Sequence, residues 1–307
     1  MKHHSSRLGR KEGIAGLLLV TPQIIYFLVF FLLPLGICVY AGFTNWNILS
    51  PLRKFVGLRN FDKLFSDPRF WTACKNTLYY LIPIPFYLTF ALAFAYSCHK
   101  KILGEKVFRV LYYLPFISSI VALTLIWKWL FNAKYGLVNL FLGLFGIAGP
   151  DWLGDPVWTR RMIVIMISWK MIGIISIYYI AALKNVPSTY YEAAKIDGAS
   201  KWQTLIHVTL PNMMPSITIC TFLTLTNSFK LFDQNLALTG GRPFLQQPDG
   251  SVIKTTEMLA LNIYNAFYSG GGNNRGVGQA KAVIFFILVA AISLLQLQST
   301  RKKEVQQ

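Results

Sequence analysis

The sequence predicts an all-α integral membrane protein with six transmembrane helices. Of its 307 residues, 54% are hydrophobic and only 14% are charged, which is too apolar for an ordinary soluble domain of this length. A helix needs about 20 mostly apolar residues to cross a bilayer, and six nearly charge-free runs of this kind occur. They lie at about 14–43, 76–98, 110–131, 162–183, 213–236 and 282–298.

The first apolar run, 14–43, follows a basic tail, 1–13, with four cations. The run is too long for the hydrophobic part of a signal peptide, so we expect it to remain as the first transmembrane helix. Residues 44–71 then form a loop that we expect on the extracytoplasmic side. Prolines occur in or beside several runs, where neighbouring helices can satisfy the freed carbonyl groups, so we expect kinked helices.

The distribution of positive charge predicts the orientation. Six spans place both termini on one side, and the segments on that side carry fourteen cations in about 65 residues. The opposite loops carry thirteen in about 108 residues. Because cytoplasmic segments are enriched in Lys and Arg, we expect cytoplasmic termini, including the tail 299–307. The loop 44–75 is an exception to this pattern, since it carries six cations and faces outward in this scheme.

The net charge of +18 would suggest a nucleic-acid partner in a soluble protein. Between apolar spans, cations are more simply explained as topology signals and as contacts with anionic lipid headgroups. We therefore expect membrane lipid as a partner and no nucleic acid. The four cysteines contain no Cys-x-x-Cys pair and the four histidines lack ligand spacing, so the sequence predicts neither a disulfide framework nor a metal site.

The segment 186–211, between the fourth and fifth spans, reads as two short helices. Ser188 can cap the first helix, Gly198 permits the turn that ends it, and Ser200 can cap the second. The pair Leu210-Pro211 is expected to end the second helix and start the next span. From the residue types alone, an interfacial helix lying in the headgroup layer is an equally good interpretation.

The same segment carries a recognisable signature. Its seven residues are Glu192, Ala193, Ala194, Asp197, Gly198, Leu210 and Pro211. This pattern resembles the EAA loop of the permease subunits of binding-protein-dependent ABC importers. The resemblance implies a coupling helix that docks into a groove on an ATP-binding subunit, where small alanines allow close approach and the Glu192 carboxylate meets a cationic partner.

The likeness continues beyond this loop, from about residue 70 through the last span. The stretches 229–233 (Phe-Lys-Leu-Phe-Asp) and 238–243 (Leu-Thr-Gly-Gly-Arg-Pro) look like the sugar-transporting branch of the family, which includes the maltose and glycerol-3-phosphate types. Arg242 stands where these permeases often have glycine. The stretch 244–254 is longer than usual, and it is either a contact for the binding protein or a surface loop.

The resemblance implies a type I ABC importer permease fold across residues 72–298 and a place in a bacterial cytoplasmic (inner) membrane. It also implies four kinds of partner or co-reactant: a second homologous permease in a heterodimer, two ATP-binding subunits, the ATP and Mg²⁺ that those subunits use, and an extracytoplasmic carbohydrate-binding protein. The chain itself lacks a P-loop of the GxxxxGK[ST] type. We therefore expect no catalytic group and no cofactor bound by this chain.

Charges inside the predicted spans are costly and indicate a cavity or a partner. Lys170 interrupts the fourth span, and Lys230 and Asp233 interrupt the fifth. Lys230 and Asp233 are three residues apart, so they either pair on one helical face or line a sugar path. The path hypothesis comprises Trp169, Lys170, Tyr178, Asn227, Lys230 and Asp233, because aromatic faces and planar hydrogen-bonding groups hold sugars.

Two other classes of function fit the sequence less well. An ion-coupled secondary transporter would use Lys170 and Asp233 as its coupling groups, but no repeated half is evident and the Glu-Ala-Ala hairpin argues against it. A membrane enzyme would need clustered carboxylates in a polar loop. Asp151 and Asp155 come nearest to such a pair, and they lie in a turn-prone stretch.

Overall fold

The computed structural model describes residues 7–47, 53–99, 105–248, 250–268 and 275–301. The predicted terminal tails therefore lie partly outside the described residues. The helices are α1 (Arg7–Phe27), α2 (Leu33–Gly42), α3 (Arg59–Phe65), α4 (Pro68–Tyr79), α5 (Ile84–His99), α6 (Glu105–Ile117), α7 (Ile120–Leu130), α8 (Leu137–Leu144), α9 (Pro156–Asn185), α10 (Ser188–Ile196), α11 (Lys201–Thr204), α12 (Leu210–Phe229), α13 (Asp233–Leu238), α14 (Leu259–Tyr268) and α15 (Arg275–Arg301). Two short strands, β1 (Phe244–Gln246) and β2 (Val252–Lys254), pair antiparallel.

Five stretches in the described part of the chain are long and apolar enough to cross a membrane. They are Gly13–Gly42, Pro68–Cys98, Pro156–Asn185, Lys201–Phe229 and Arg275–Gln298. A bent pair of helices, Val110–Ile117 with Ile120–Leu130, also meets the criterion when its two halves are taken together. Counting this pair as one span gives the predicted six, so the all-α membrane fold is confirmed.

The third span is broken, whereas the sequence pattern predicted a continuous run at 110–131. Its two halves meet at an angle of 106°. The α6 helix ends near Ser118, whose hydroxyl donates to the Leu114 carbonyl oxygen at 2.7 Å. Ser119 then adopts an extended conformation with φ −55° and ψ 128°. Two adjacent small polar residues that can bond locally to the backbone favour such an interruption.

The fifth span ends at Phe229, not at 236 as predicted, and the chain turns before α13 begins at Asp233. No proline or glycine marks this break. It is stabilised from outside: the Asn235 side chain, fully buried, donates to the Thr256 carbonyl oxygen at 2.8 Å. It also accepts a hydrogen bond from the Met258 amide at 3.2 Å. These distant polar contacts override the local apolar pattern.

Two π-helical turns interrupt the spans, at Leu28–Leu32 and Leu205–Thr209. Each ends two residues before a proline, Pro34 in the first span and Pro211 in the fifth. A proline in a helix lacks the N–H for the preceding turn, and its ring crowds the carbonyl four residues earlier. A wider turn at that place accommodates the ring, so the helix bends without ending.

The chain divides into two compact units, and the first comprises Met1–Ser66 with Ala266–Ile284. In it, the loop that follows the first span is held at the end of α2. The buried Asn60 side chain donates to the carbonyl oxygens of Gly42 and Thr44, both at 2.8 Å. A Cβ added at Gly276 would lie 2.4 Å from the Thr44 oxygen, so α15 approaches this loop as closely as its backbone allows.

The second unit comprises Asp67–Asn265 with Phe285–Gln307. At its centre, α9 packs against α5, α6 and α12. Small residues allow the close approach that is typical of membrane helices: Ala91 is fully buried, and a Cβ on Gly173 would lie 2.0 Å from the Tyr112 carbonyl oxygen. The Ser176 hydroxyl, also fully buried, lies 3.3 Å from the Ala91 carbonyl oxygen. Cys98 and Cys220 are buried in the same apolar cluster, where they pack as small hydrophobic residues.

Candidate functional site

The predicted coupling segment begins with α10, whose end is defined by its backbone. The Ala199 amide donates to the Ala194 carbonyl oxygen at 2.9 Å, and the Gly198 amide donates to Lys195 at 3.2 Å. Gly198 has φ +71°. These are the bonds and the left-handed glycine of a Schellman motif. The predicted role of Gly198 in ending the first helix is confirmed.

The predicted caps have mixed outcomes. Ser200 caps the second helix as expected, in a capping box in which its hydroxyl accepts from the Gln203 amide at 3.3 Å and its own amide donates to Gln203 Oε1 at 2.8 Å. The prediction for Ser188 is wrong, because the N-cap position of α10 belongs to Pro187, with no side-chain cap bond. Proline fixes φ near the helical value, so it can start a helix without a hydroxyl.

The prediction that Leu210-Pro211 ends the second helix is also wrong. The chain stays helical from Lys201 to Phe229, through the π-helical turn Leu205–Thr209. The Leu210 amide donates to the Leu205 carbonyl oxygen, five residues earlier. The coupling segment is therefore continuous with the fifth span, and a displacement of α11 would be carried directly into α12.

Between α10 and the α11–α12 helix lies a groove of about 1050 Å³. Five of the seven signature residues line it: Ala193, Ala194, Asp197, Gly198 and Pro211. Sequence reasoning had not placed Gln203, His207 or Asn212 there, and they contribute its polar lining. Glu192 is exposed and does not line the groove, nor does Leu210.

Large apolar side chains project from the same hairpin. Ile196 is 86% exposed at the end of α10, and Trp202 is 68% exposed on α11. Ile196 lies outside the candidate spans and Trp202 lies at the very start of one, so the two mark a surface suited to a protein partner. Sequence reasoning missed Ile196. The available signal was its position two residues after the buried Ala194, which places it on the opposite face of the helix.

The predicted path residues do not form one cluster. Tyr178 and Asn227, both exposed at the surface of the unit, line a small cavity of about 70 Å³ together with Phe116. The Lys170 Nζ lies 5.9 Å from the centroid of the Phe116 ring. The Asp233 carboxylate interacts electrostatically with Lys170. Phe116 therefore contacts or shares a cavity with three of the predicted residues, Lys170, Tyr178 and Asn227. The sequence signal that could have identified it is Pro115-Phe116, just before the break in the third span.

Trp169 and Lys230 lie apart from that cavity. The Trp169 ring is 5.7 Å from Trp127, which stacks on Phe131 at 4.9 Å. The predicted Lys230–Asp233 pair does not form: Lys230 is exposed at the end of α12, and no ion pair joins it to Asp233 in the described part of the chain. The broken helix removes the shared face on which the two residues were expected to meet.

A tryptophan between the third and fourth spans is part of the core. Trp152 is 8% exposed, and its indole N–H donates to Asn139 Oδ1 at 2.7 Å. Its ring contacts Phe131 at 5.1 Å and Trp158 at 5.0 Å. The side chain therefore fixes the α8 segment against α9.

A broken third span, a central α9 and a helical hairpin continuous with the fifth span are the features of a membrane transport subunit. Residues 88–304 match the family of binding-protein-dependent transport system inner membrane components. The chain belongs to this family. It is a multi-pass permease of the ABC importer type and not an enzyme, and ATP is hydrolysed by a separate subunit.

Individual relatives agree over nearly the whole length. The chain is 36% identical to the probable starch degradation products transport system permease of Thermoanaerobacterium thermosulfurigenes, covering 96% of this chain and 97% of the relative. It is 33% identical to the lactose transport system permease of Rhizobium radiobacter, covering 97% and 98%. A chain of a bacterial alginate ABC transporter, solved with a periplasmic protein carrying an alginate pentasaccharide, shares the fold with a TM-score of 0.79, 24% identity and coverage of 97% and 98%.

Proposed function

We propose that this chain is one of two homologous permeases that together enclose the path of a sugar, an oligosaccharide, delivered by an extracytoplasmic binding protein. Two ATP-binding subunits on the opposite side hydrolyse ATP with Mg²⁺. The termini lie in the cytoplasm, and the hairpin 186–211 is the coupling element. An ion-coupled secondary transporter, the alternative, is disfavoured by membership of the importer family.

The geometry of the hairpin is the observation that carries this proposal. Ala193, Ala194 and Gly198 line a groove whose floor leads into the fifth span, and Ile196 projects beside it. Glu192 is exposed on the outer face of α10. A partner subunit that binds the hairpin and displaces α11 can therefore move α12, which is continuous with it, the kind of motion that opens and closes two packed bundles in turn.

The transmembrane part supports a path that is completed by a second permease. Tyr178 and Trp169 are 46% and 43% exposed, and in the proposed pair the second permease covers them. Lys170 is half-buried, and a cation at such a depth is expected to face a polar cavity. With Asn227, these groups provide aromatic faces and hydrogen-bonding groups for a sugar.

The class of substrate rests on the relatives. Several have names that refer to carbohydrates, among them starch degradation products, lactose, and trehalose with maltose, the last from Thermococcus litoralis at 28% identity. The stretch 238–243 supports the same branch. We infer an oligosaccharide from these names and from the likeness of that stretch.

Substrate-stimulated ATPase activity in liposomes tests the proposal. The chain is co-expressed with a candidate second permease, an ATPase and a binding protein, and wild type is compared with Glu192→Lys and Gly198→Pro. Both variants are expected to lose coupled hydrolysis and association with the ATPase while still inserting in the membrane. The control is Gly143→Ala, because Gly143 has open space around it. Gly143→Pro is not used, since it would break α8.

Full activity of both variants would contradict the coupling role. Uptake by the chain alone on an ion gradient would favour the secondary-transporter alternative, with Lys170 and Asp233 as its coupling groups. Coupled hydrolysis stimulated by a non-carbohydrate ligand would leave the coupling role standing and overturn the substrate class.

A further inference from the structure

A basic and aromatic surface on the first unit is not used by the transport mechanism. In that unit, residues 44–66 and 266–284 contain six cations and a single carboxylate, Asp62. This surface includes the loop whose positive charge conflicts with the predicted orientation. Its strongest feature is a pair of arginines, Arg53 and Arg275, against the ring of Trp46.

Both guanidinium groups lie against the same indole. The Cζ atom of Arg53 is 4.7 Å from the centroid of the Trp46 ring, and that of Arg275 is 5.4 Å away. Neither arginine forms an ion pair within the described residues. The Nε of Arg275 is buried and lacks a hydrogen-bond partner there. The adjoining stretches 48–52 and 269–274 contain no Asp or Glu.

The backbone around Trp46 is fixed. The Asn45 amide donates to the Lys54 carbonyl oxygen at 2.9 Å, and the Lys54 amide donates to Asn45 Oδ1 at 2.7 Å. On the other side, the Gly276 amide donates to the Trp46 carbonyl oxygen at 3.0 Å. These bonds fix the backbone segments that carry the two arginines before any ligand arrives, which lowers the entropic cost of binding one.

Position and neighbours favour a membrane surface as the ligand. Trp46 lies four residues after the end of the first candidate span, and Arg275 is the first residue of the last one. Phe55 and Leu58 are 66% and 68% exposed on the same loop. Apolar side chains beside arginines and a tryptophan at a span end are the composition of a surface that enters the headgroup layer.

We propose that Arg53 and Arg275 bind the phosphate of an anionic phospholipid headgroup in the leaflet on this side of the membrane. The planar guanidinium matches two phosphate oxygens, and Trp46 provides the interfacial platform between the cations. Arg53, one of the six cations in the loop 44–75, is therefore explained as a lipid ligand on the extracytoplasmic side.

Fluorescence quenching in nanodiscs tests this site. The full-length chain is placed in phosphatidylcholine with or without phosphatidylglycerol that carries brominated acyl chains, and the Trp46 signal is obtained by difference from Trp46→Phe. We expect Arg53→Gln/Arg275→Gln to weaken the phosphatidylglycerol-dependent quenching by about 25-fold in apparent affinity, at about fivefold for each cation. Lys54→Gln/Lys63→Gln, which removes two charges from the same loop, is expected to have a smaller effect.

Size-exclusion chromatography identifies a double variant that is misfolded. A second variant, Arg53→Lys/Arg275→Lys, keeps both positive charges but lacks the planar guanidinium groups. This second variant is expected to bind with intermediate affinity. An equal loss of affinity in Arg53→Gln/Arg275→Gln and in Lys54→Gln/Lys63→Gln would show that diffuse positive charge, and not a specific site, attracts the lipid. If millimolar inorganic phosphate competes for this site in pure phosphatidylcholine, the ligand is free phosphate and not a lipid headgroup. If Arg53→Gln/Arg275→Gln changes only the affinity for the binding protein, the surface binds an acidic protein and not a lipid.

Discussion

The side-chain amide of Asn235 donates a hydrogen bond to the carbonyl oxygen of Thr256 at 2.8 Å and so fixes the point at which the fifth span ends. Asn76 makes a similar connection from the second span, donating to the carbonyl oxygens of Thr255 at 2.8 Å and Glu257 at 2.9 Å. One short polar stretch, 255–257, thereby holds the ends of two spans. The Glu257 carboxylate, itself buried, accepts hydrogen bonds from Asn262 and Asn265.

Asn235→Ala is expected to destabilise the folded protein by roughly 2–4 kcal/mol, because two buried backbone groups lose their partners. The thermal unfolding midpoint in detergent measures this effect. Gln234→Ala is the control, since Gln234 is a half-buried residue on the same short helix. An equal change in both variants would mean that the helix, and not the Asn235 contacts, determines stability.

Gly173→Ala is expected to prevent normal packing of α9 on α6. The added Cβ would lie 2.0 Å from the Tyr112 carbonyl oxygen, and overpacking costs about 1–3 kcal/mol or more where backbone must move. The yield of monodisperse protein after detergent extraction should fall sharply. Gly36→Ala, at a glycine with nothing within 4 Å, should behave as wild type, and a normal yield for Gly173→Ala would show that the two helices are more loosely packed.

Gly198→Ala is expected to impair coupling only moderately. No atom lies within 4 Å of the added Cβ, so the cost is the strain of φ +71° on a non-glycine residue, about 1–2 kcal/mol. ATPase association should weaken less than in Gly198→Pro, and Gly198→Asn should be nearly normal because asparagine tolerates this conformation. Complete loss in the asparagine variant would indicate that the partner needs the glycine surface itself.

Ile196→Asp is expected to abolish binding of the ATPase subunit without affecting membrane insertion. The side chain is 86% exposed, so its replacement leaves the fold intact but places a charge in an apolar contact. Co-purification with the tagged ATPase measures the effect. Lys195→Ser, at the neighbouring exposed position, is expected to retain most binding, and retention by Ile196→Asp would move the contact elsewhere on the hairpin.

Lys170→Gln is expected to change sugar-stimulated hydrolysis by at least about tenfold, since the half-buried cation lies beside Phe116 and interacts with Asp233. Lys230→Gln should change it little, because Lys230 is exposed at a helix end. Dose–response curves with the loaded binding protein separate affinity from maximum rate. A larger effect at Lys230 would reverse this assignment and restore Lys230 to the path.

Local sequence signals predicted the hairpin best where the structure depends on local bonds. Gly198 and Ser200 act as expected because a Schellman motif and a capping box involve residues only a few positions apart. The prediction that the helix ends at Pro211 failed, because the cost of a proline inside a helix depends on whether the preceding turn can widen. The π-helical turn Leu205–Thr209 provides that room.

The sequence by itself determined that the chain is a multi-span helical membrane protein and to which family it is similar, because bilayer thickness and the cost of bare backbone in lipid act on composition alone. Only the tertiary structure decided where the fifth span breaks and which path residues meet. Those outcomes depend on contacts such as Asn235 with Thr256, between residues far apart in the chain, whose energies leave no trace in local apolar periodicity.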